Sequence, residues 1–175
     1  RIHSHLLWLG LLADSFGFEN LFMASWRVRE GILDIIEETT GGRVIFGAAK
    51  VGGCRRDVTE DMLKRMPAQL DAVEKQLHEI TEVFRDDYSV RQRLCGVGVL
   101  TADEAYAQGA VGPVLRGSGV RTDTRLEGYA AYGDLSFEPI VEKDGDCWAR
   151  TMVRVRETYQ SFDLIRQALP KVPGG

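Results

Sequence analysis

At 175 residues, 44% apolar and 27% charged, the chain is long enough for one globular domain or one segment of a larger one. It can bury roughly 70% of its unfolded surface, and its composition excludes disordered, collagen-like and low-complexity chains. With 26 Asp and Glu against 22 Lys and Arg, the net charge of -4 argues against nucleic acid as the main partner.

The chain opens Arg-Ile-His-Ser-His with no Met and no basic leader, so it reads as a segment that starts inside a domain. From Arg1 to about Asp14 it is apolar nearly all round, with Ile2, Leu6, Leu9 and Ala13 on one stripe and Leu7 and Leu11 on another. The longest stretch without charge, Ile2 to Ala13, falls short of the roughly 20 residues a bilayer span needs. Such a helix belongs inside a bundle. A second helix, from about Phe18 to Thr39, shows Phe22, Trp26, Leu33 and Ile36 at helical spacing, and Arg29 shares that stripe. A guanidinium facing a core calls for a carboxylate partner. Gly41-Gly42 supplies the stop; Val44-Ile45-Phe46 then predicts a short strand and Val51-Gly52-Gly53 a turn.

Asp57-Val-Thr-Glu60 predicts a capping box with Asp57 as N-cap. Behind it come Met66, Leu70, Val73, Leu77, Ile80 and Phe84, the clearest periodicity in the chain and one face of a long amphipathic helix. Pro67 kinks this helix or opens its second part. Thr101-Ala-Asp-Glu104 opens a short helix by the same capping logic, and Phe137 to Val141 predicts an edge strand interrupted by Pro139. The last long helix starts near Asp146, carries Trp148, Met152, Val155, Tyr159, Phe162, Ile165 and Leu169, and ends at Pro170 and Pro173. The fold class is therefore mainly α (α+β): a multihelical bundle of about four long helices with a small, loop-rich β excursion.

Chemistry-bearing residues are sparse. Cys54, Cys95 and Cys147 are an odd number with no CxxC pairing, which predicts a reducing compartment and ordinary packed or half-buried thiols. His3 and His5 point about 200° apart on a helix, so one metal ion cannot use both without a distant third ligand. His78 sits on the polar side of its helix. Gly96-Val-Gly98 and Gly117-Ser-Gly119 lack the third Gly, or the Gly-Lys-Ser/Thr, of a phosphate cradle and read as turns. No Ser or Cys occupies a nucleophile elbow. What remains are charges in apolar or Gly-rich settings: Arg27, Arg29 and Glu30; Arg55, Arg56 and Asp57; Arg116; Asp146 with Arg150. Structural ion pairing or capping is the plain reading, and contact with a redox partner is the alternative.

Six strings occur in order. They are Ser4-His5-Leu6; Trp26-Arg-Val-Arg-Glu30 with Ile32-Leu33-Asp34; Thr40-Gly41-Gly42-Arg43; Val51-Gly-Gly-Cys-Arg-Arg-Asp57; Gly112-Pro-Val-Leu-Arg-Gly-Ser-Gly119 with Asp123; and Gly145-Asp-Cys-Trp-Ala-Arg150 leading to Val153-Arg-Val-Arg-Glu157 and Gln160-Ser161. Together they resemble the catalytic-subunit family shared by the D-type subunits of NADH–quinone oxidoreductase (complex I) and the large subunits of energy-converting nickel–iron hydrogenases. The resemblance implies a largely helical subunit lying against an iron–sulfur small subunit, docked at the cytoplasmic side of a membrane arm. It implies that residues 1–175 are a central segment of that subunit, truncated at both ends. The nickel–iron centre (or a quinone) would then belong to the full subunit and the iron–sulfur clusters to the partner, with no catalytic, cofactor or metal ligand in the segment. In the quinone-reducing branch an Asp of the first helix lines the quinone chamber, where ungapped matching puts Ser15 in this chain, with Asp14 one residue off. That branch also has a cluster-tuning His in the strand after Thr-Gly-x-Arg, where this chain has Ile45, an aliphatic side chain that cannot titrate. Both departures favour the hydrogenase branch. Arg27, Arg29, Glu30, Arg55, Arg56, Asp57, Arg116, Asp123, Asp146 and Arg150 are the residues assigned to docking and to charge around the redox centres. Alone, the segment is expected to be inactive. A non-catalytic helical assembly module that pairs with a second copy through uncovered apolar surface is the rival reading.

Overall fold

The computed structural model describes residues 1–173, and it is mainly α-helical, as the periodicities require. Seven α-helices are present among the described residues: α1 (Ile2–Ser15), α2 (Glu19–Thr40), α3 (Glu60–Asp86), α4 (Tyr88–Leu94), α5 (Ala102–Ala107), α6 (Gly112–Gly117) and α7 (Cys147–Ala168). The four long ones are those anticipated. A single two-stranded antiparallel ribbon, β1 (Ala49–Lys50) and β2 (Gly53–Cys54), is the β excursion. The described residues form two compact units, residues 1–79 with 169–173, and residues 80–168.

In the first unit α1 and α2 pair as an antiparallel hairpin around Ile2, Leu6, Leu9, Ala13, Leu21, Val28, Ile32 and Leu33. Their approach is close at Gly10, where a Cβ would stand 2.6 Å from the Trp26 ring. The buried stripe of α2 is rotated from the one anticipated: Leu21, Val28 and Ile32 are inside, whereas Phe22, Trp26 and Ile36 are half-exposed. The bulky aromatics cover the edge of the core because a close-packed seam favours smaller side chains. Gly41, at φ 84, closes α2 in the left-handed conformation.

The strand anticipated at Val44-Ile45-Phe46 is absent. The two-residue turn Val51-Gly52, with Gly52 at φ 86, sets the register Lys50↔Gly53 and Ala49↔Cys54. The ladder ends where Arg55 N–H donates to the Ala48 carbonyl (2.8 Å), so residues 44–46 lie beyond it. The cap of α3 also differs. Thr59, not Asp57, accepts from a backbone N–H, that of Met62 (3.3 Å), and Glu60 is already helical. α3 runs through Pro67 without interruption, and all six residues of its apolar stripe are buried. Leu77→Ala, on that stripe, is expected to cost about 2–5 kcal/mol in urea unfolding, because a cavity replaces a fully buried side chain.

In the second unit the short helices have local reasons. Asp87 caps α4 by accepting from Val90 N–H (2.9 Å), and Thr101 with Glu104 forms the anticipated capping box of α5. Residues 137–141 are not a strand: Pro139 removes a donor, and Phe137 is taken up by Arg125 instead. α7 is buried on more sides than its apolar stripe implies. Thr151, Thr158 and Ser161 are inside, and each hydroxyl donates to the carbonyl four residues earlier, at Cys147, Arg154 and Glu157 (2.6–2.7 Å).

Candidate functional site

Most of the buried charge among the described residues is inside the second unit. Arg116, the penultimate residue of α6, is brought to α7 because Gly117 lets the two helices touch; a Cβ there would stand 2.9 Å from Arg150 Cγ and 3.3 Å from its backbone. From this position Arg116 Nε donates to Glu157 Oε1 (2.8 Å), as does Nη2, and Nη1 donates to the Thr122 carbonyl (3.0 Å). Nη1 also lies 3.7 Å from Asp123 Oδ2. Asp123 in turn accepts Arg125 Nε (2.9 Å) and Nη2 (2.6 Å) in a two-point pair, as well as the Arg125 backbone N–H (3.1 Å). The Arg125 guanidinium lies over Phe137 (4.4 Å to the ring centre) and near Tyr132 (5.9 Å). Arg154, beyond Glu157, donates from Nη1 to the Arg150 carbonyl (2.8 Å).

Five buried ions thus alternate in sign: Arg125, Asp123, Arg116, Glu157, Arg154. Burial pushes the Arg154 guanidinium down to about 10; the Glu157 carboxylate opposes this, and the positive charges of Arg150 and Arg116 add to it. Burial also disfavours ionised Asp123, but the hydrogen bonds from Arg125 outweigh it and hold that carboxyl below its ordinary value. A carboxylate depressed in the folded state adds stability above its unfolded value, and this is lost as pH falls through the folded value. Unfolding free energy is therefore expected to decline on acidification below about pH 4, and the Asp123→Asn variant should show a shallower decline in the same urea titration. Chemically, Asp123 and Glu157 are committed to guanidinium donors, which suits them to holding charge in place rather than to moving protons.

A second constellation fixes the start of α7. Asp146 Oδ1 accepts from Ala149 N–H and Oδ2 from Gly96 N–H, both at 2.7 Å, so one carboxylate caps the helix and anchors the 96–98 turn. Arg150 donates to the Gly145 carbonyl (2.5 Å), the Gly98 carbonyl (2.7 Å) and Cys147 Sγ (3.3 Å). The two residues serve one junction through separate partners.

In the first unit Arg29 is buried, as its stripe implied, but it is met by the His3 carbonyl (Nε to O, 3.1 Å) and by the Trp26 ring (5.4 Å) rather than by the carboxylate anticipated. A backbone carbonyl is within reach because α1 lies directly against α2. Burial, with the nearby Arg29 charge, holds the His3 imidazole below its ordinary value. Glu30 is exposed and joins Asp34 and Glu37 around Arg43. Arg27, Arg55, Arg56 and Asp57 are exposed. Cys54 and Cys95 are exposed rather than packed, and Cys147 is half-buried. No group of three or more His, Cys, Asp or Glu among the described residues is placed to hold a metal ion, so no chemistry through a nickel–iron centre is derived from these side chains.

Of the residues singled out from the sequence, the structure joins Arg116 to Asp123 and gathers Asp146 and Arg150 at one junction. Arg125, Arg154 and Glu157 are the members of the ion network that sequence reasoning missed. A signal for Glu157 existed, since Ala149, Val153, Glu157 and Ser161 recur every four residues along α7, and all four are buried.

Together these features define a mainly α-helical protein with a buried ion network in its second unit, whose helices are none of them long and apolar enough, among the described residues, to cross a membrane. The family model described as Respiratory-chain NADH dehydrogenase, 49 Kd subunit, matches residues 15–175, and the chain belongs to that family. It is 41% identical to the D-type subunit of F(420)H(2) dehydrogenase from Methanosarcina mazei, a match covering all of this chain and 47% of the relative. It is 40% identical to the C/D-type subunit of NADH-quinone oxidoreductase from Phocaeicola vulgatus, with 100% and 34% covered. It is 35% identical to the alpha subunit of the membrane-bound hydrogenase from Pyrococcus furiosus, with 100% and 43% covered. The chain therefore spans less than half the length of these curated relatives, whose names include both branches of the resemblance drawn from the sequence.

Proposed function

We propose that this chain is the central helical part of the large subunit of a membrane-associated oxidoreductase in the nickel–iron hydrogenase branch. It supplies scaffold and a docking surface for an iron–sulfur small subunit. The complex lies peripherally at the cytoplasmic side of the membrane against membrane-arm subunits, and the redox groups are held elsewhere in the full subunit and in the partner. The observation that carries this reading is Ile45, which is 95% exposed between the exposed Val44 and Phe46. Exposed Lys50, Val51, Arg55 and Arg56 follow in the same ribbon and its approaches. Apolar side chains held in water beside cations fit a surface that a partner protein covers. Ile45 also stands where the quinone branch has its titrating His.

A second reading, an electron-carrier dehydrogenase of the quinone branch, is favoured by the 41% and 40% identities to proteins of that naming against 35% to the hydrogenase. Hydrogen uptake by the full subunit in its complex, coupled to an artificial acceptor dye, separates the two. Uptake supports the hydrogenase reading. Quinone reduction without hydrogen uptake overturns it in favour of the second.

A further inference from the structure

We propose that the β1–β2 ribbon docks on an acidic face of another protein subunit, with Lys50 and Arg55 as the side chains that meet its carboxylates. The proposal rests on the reading that the chain is one part of a larger complex, and it adds the chemistry of the surface that covers the ribbon. From Thr39 to Arg56 the sequence holds four cations and no Asp or Glu, in a chain whose net charge is -4. The four cations are placed differently. Arg43 donates to Glu30, Asp34 and Glu37 of α2 (2.5–2.8 Å), so its charge is neutralised within the unit. Arg56 lies against Gly41, whose Cβ would stand 2.7 Å from the Arg56 Cζ, and the carbonyl end of a helix such as α2 favours a cation. Lys50 and Arg55 form no ion pair among the described residues. They are the charges the ribbon leaves uncompensated.

The apolar residues beside them are equally unprovided for. Between residues 44 and 57 every residue but Ala48 is exposed, so the stretch adds almost nothing to the core. A two-stranded ribbon is marginal in water by itself, and each strand keeps one edge open to pairing. Val51 at the turn is fully exposed, like Ile45. A purely anionic surface would meet Lys50 and Arg55 and leave Ile45 and Val51 in water. A purely apolar one would bury the two cations unpaired, which is costly. A protein face with an apolar centre and a rim of Asp and Glu accommodates both sets.

Zero-length carbodiimide cross-linking of the whole complex, followed by peptide mass spectrometry, tests this. The expected product joins the Lys50 amine to an Asp or Glu of another subunit. Lys50 recovered unlinked, or linked only to a carboxylate of its own subunit or of a second copy, overturns the proposal. The charge-reversed variant Lys50→Glu/Arg55→Glu should weaken the hold of the complex on this subunit about a hundredfold, because like charges then face each other across the interface. The neutral variant Lys50→Gln/Arg55→Gln should weaken it less. Both sites are exposed, so circular dichroism of the variants should match the parent. Reversal without effect on retention, with the unaltered subunit binding phosphatidylglycerol vesicles instead, would give the ribbon to a lipid surface and overturn the acidic protein face. The identity of the linked subunit keeps the two readings apart: a link to a subunit without iron–sulfur clusters sustains the acidic face and dismisses docking on the iron–sulfur subunit, and the hydrogen-uptake result bears on neither.

Discussion

Glu157→Gln is expected to destabilise the second unit by about 3–5 kcal/mol, which is the usual cost of removing one partner from a buried ion pair. Glu157 is fully buried on α7 and accepts two hydrogen bonds from Arg116 through a single oxygen. The neutral amide keeps the shape and removes the charge that offsets Arg116 on one side and Arg154 on the other. The comparison that isolates the cause is the pair Arg116→Met/Glu157→Leu. Replacing both ions with apolar groups of similar size is often neutral, so the double variant should be more stable than the single one. Urea unfolding of the three proteins measures this. A single variant within about 1 kcal/mol of the parent would mean that the network contributes little.

Gly145→Ala is expected to cost about 2–5 kcal/mol by a different route, adding backbone strain to an overpacked contact. Gly145 has φ 67, a conformation that costs an alanine about 1 kcal/mol or more. A Cβ there would also stand 2.3 Å from the Leu100 carbonyl oxygen, a backbone atom that cannot turn aside. The same glycine is tied on both sides: its carbonyl accepts from Leu100 N–H and its N–H donates to the Gly117 carbonyl, each at 2.9 Å. Gly96→Ala is the control, since Gly96 has φ 70 and open space where the Cβ would go. It should show the strain alone. Thermal unfolding of the two variants separates the terms, and equal losses would mean that the contact with Leu100 relaxes freely.

Much of the fold was legible because it depends on local rules. The α3 stripe at spacings of three and four placed six buried residues correctly, and Thr101 with Glu104 announced a cap that the backbone then formed. The failures trace to contacts that composition and periodicity do not report. Val44-Ile45-Phe46 has strand composition, but the register of the Val51-Gly52 turn leaves it without a strand to pair with. Arg29 found a backbone carbonyl because α1 happens to lie there. For the buried ions the sequence supplied Arg116 and Asp123 from a Gly-rich string, yet offered no reason to join them to Glu157, which is 41 positions beyond Arg116 in a helix whose apolar stripe lies on another face. Periodicity reports which side of a helix is apolar and says little about a charge buried on the opposite side.

The hydroxyls of α7 carry a last consequence. Because Thr151, Thr158 and Ser161 each turn back onto their own helix, they ask nothing of the surrounding chain. Neighbours can wrap this helix on several sides with ordinary aliphatic contact, and a rotation of the helix about its axis would leave those three groups equally content. Glu157, Tyr159 and Gln160 would object, because their partners, Arg116, Thr81 and the Glu138 carbonyl, lie on other elements. These outward-reaching side chains therefore act as the key that sets the angular position of an otherwise indifferent rod.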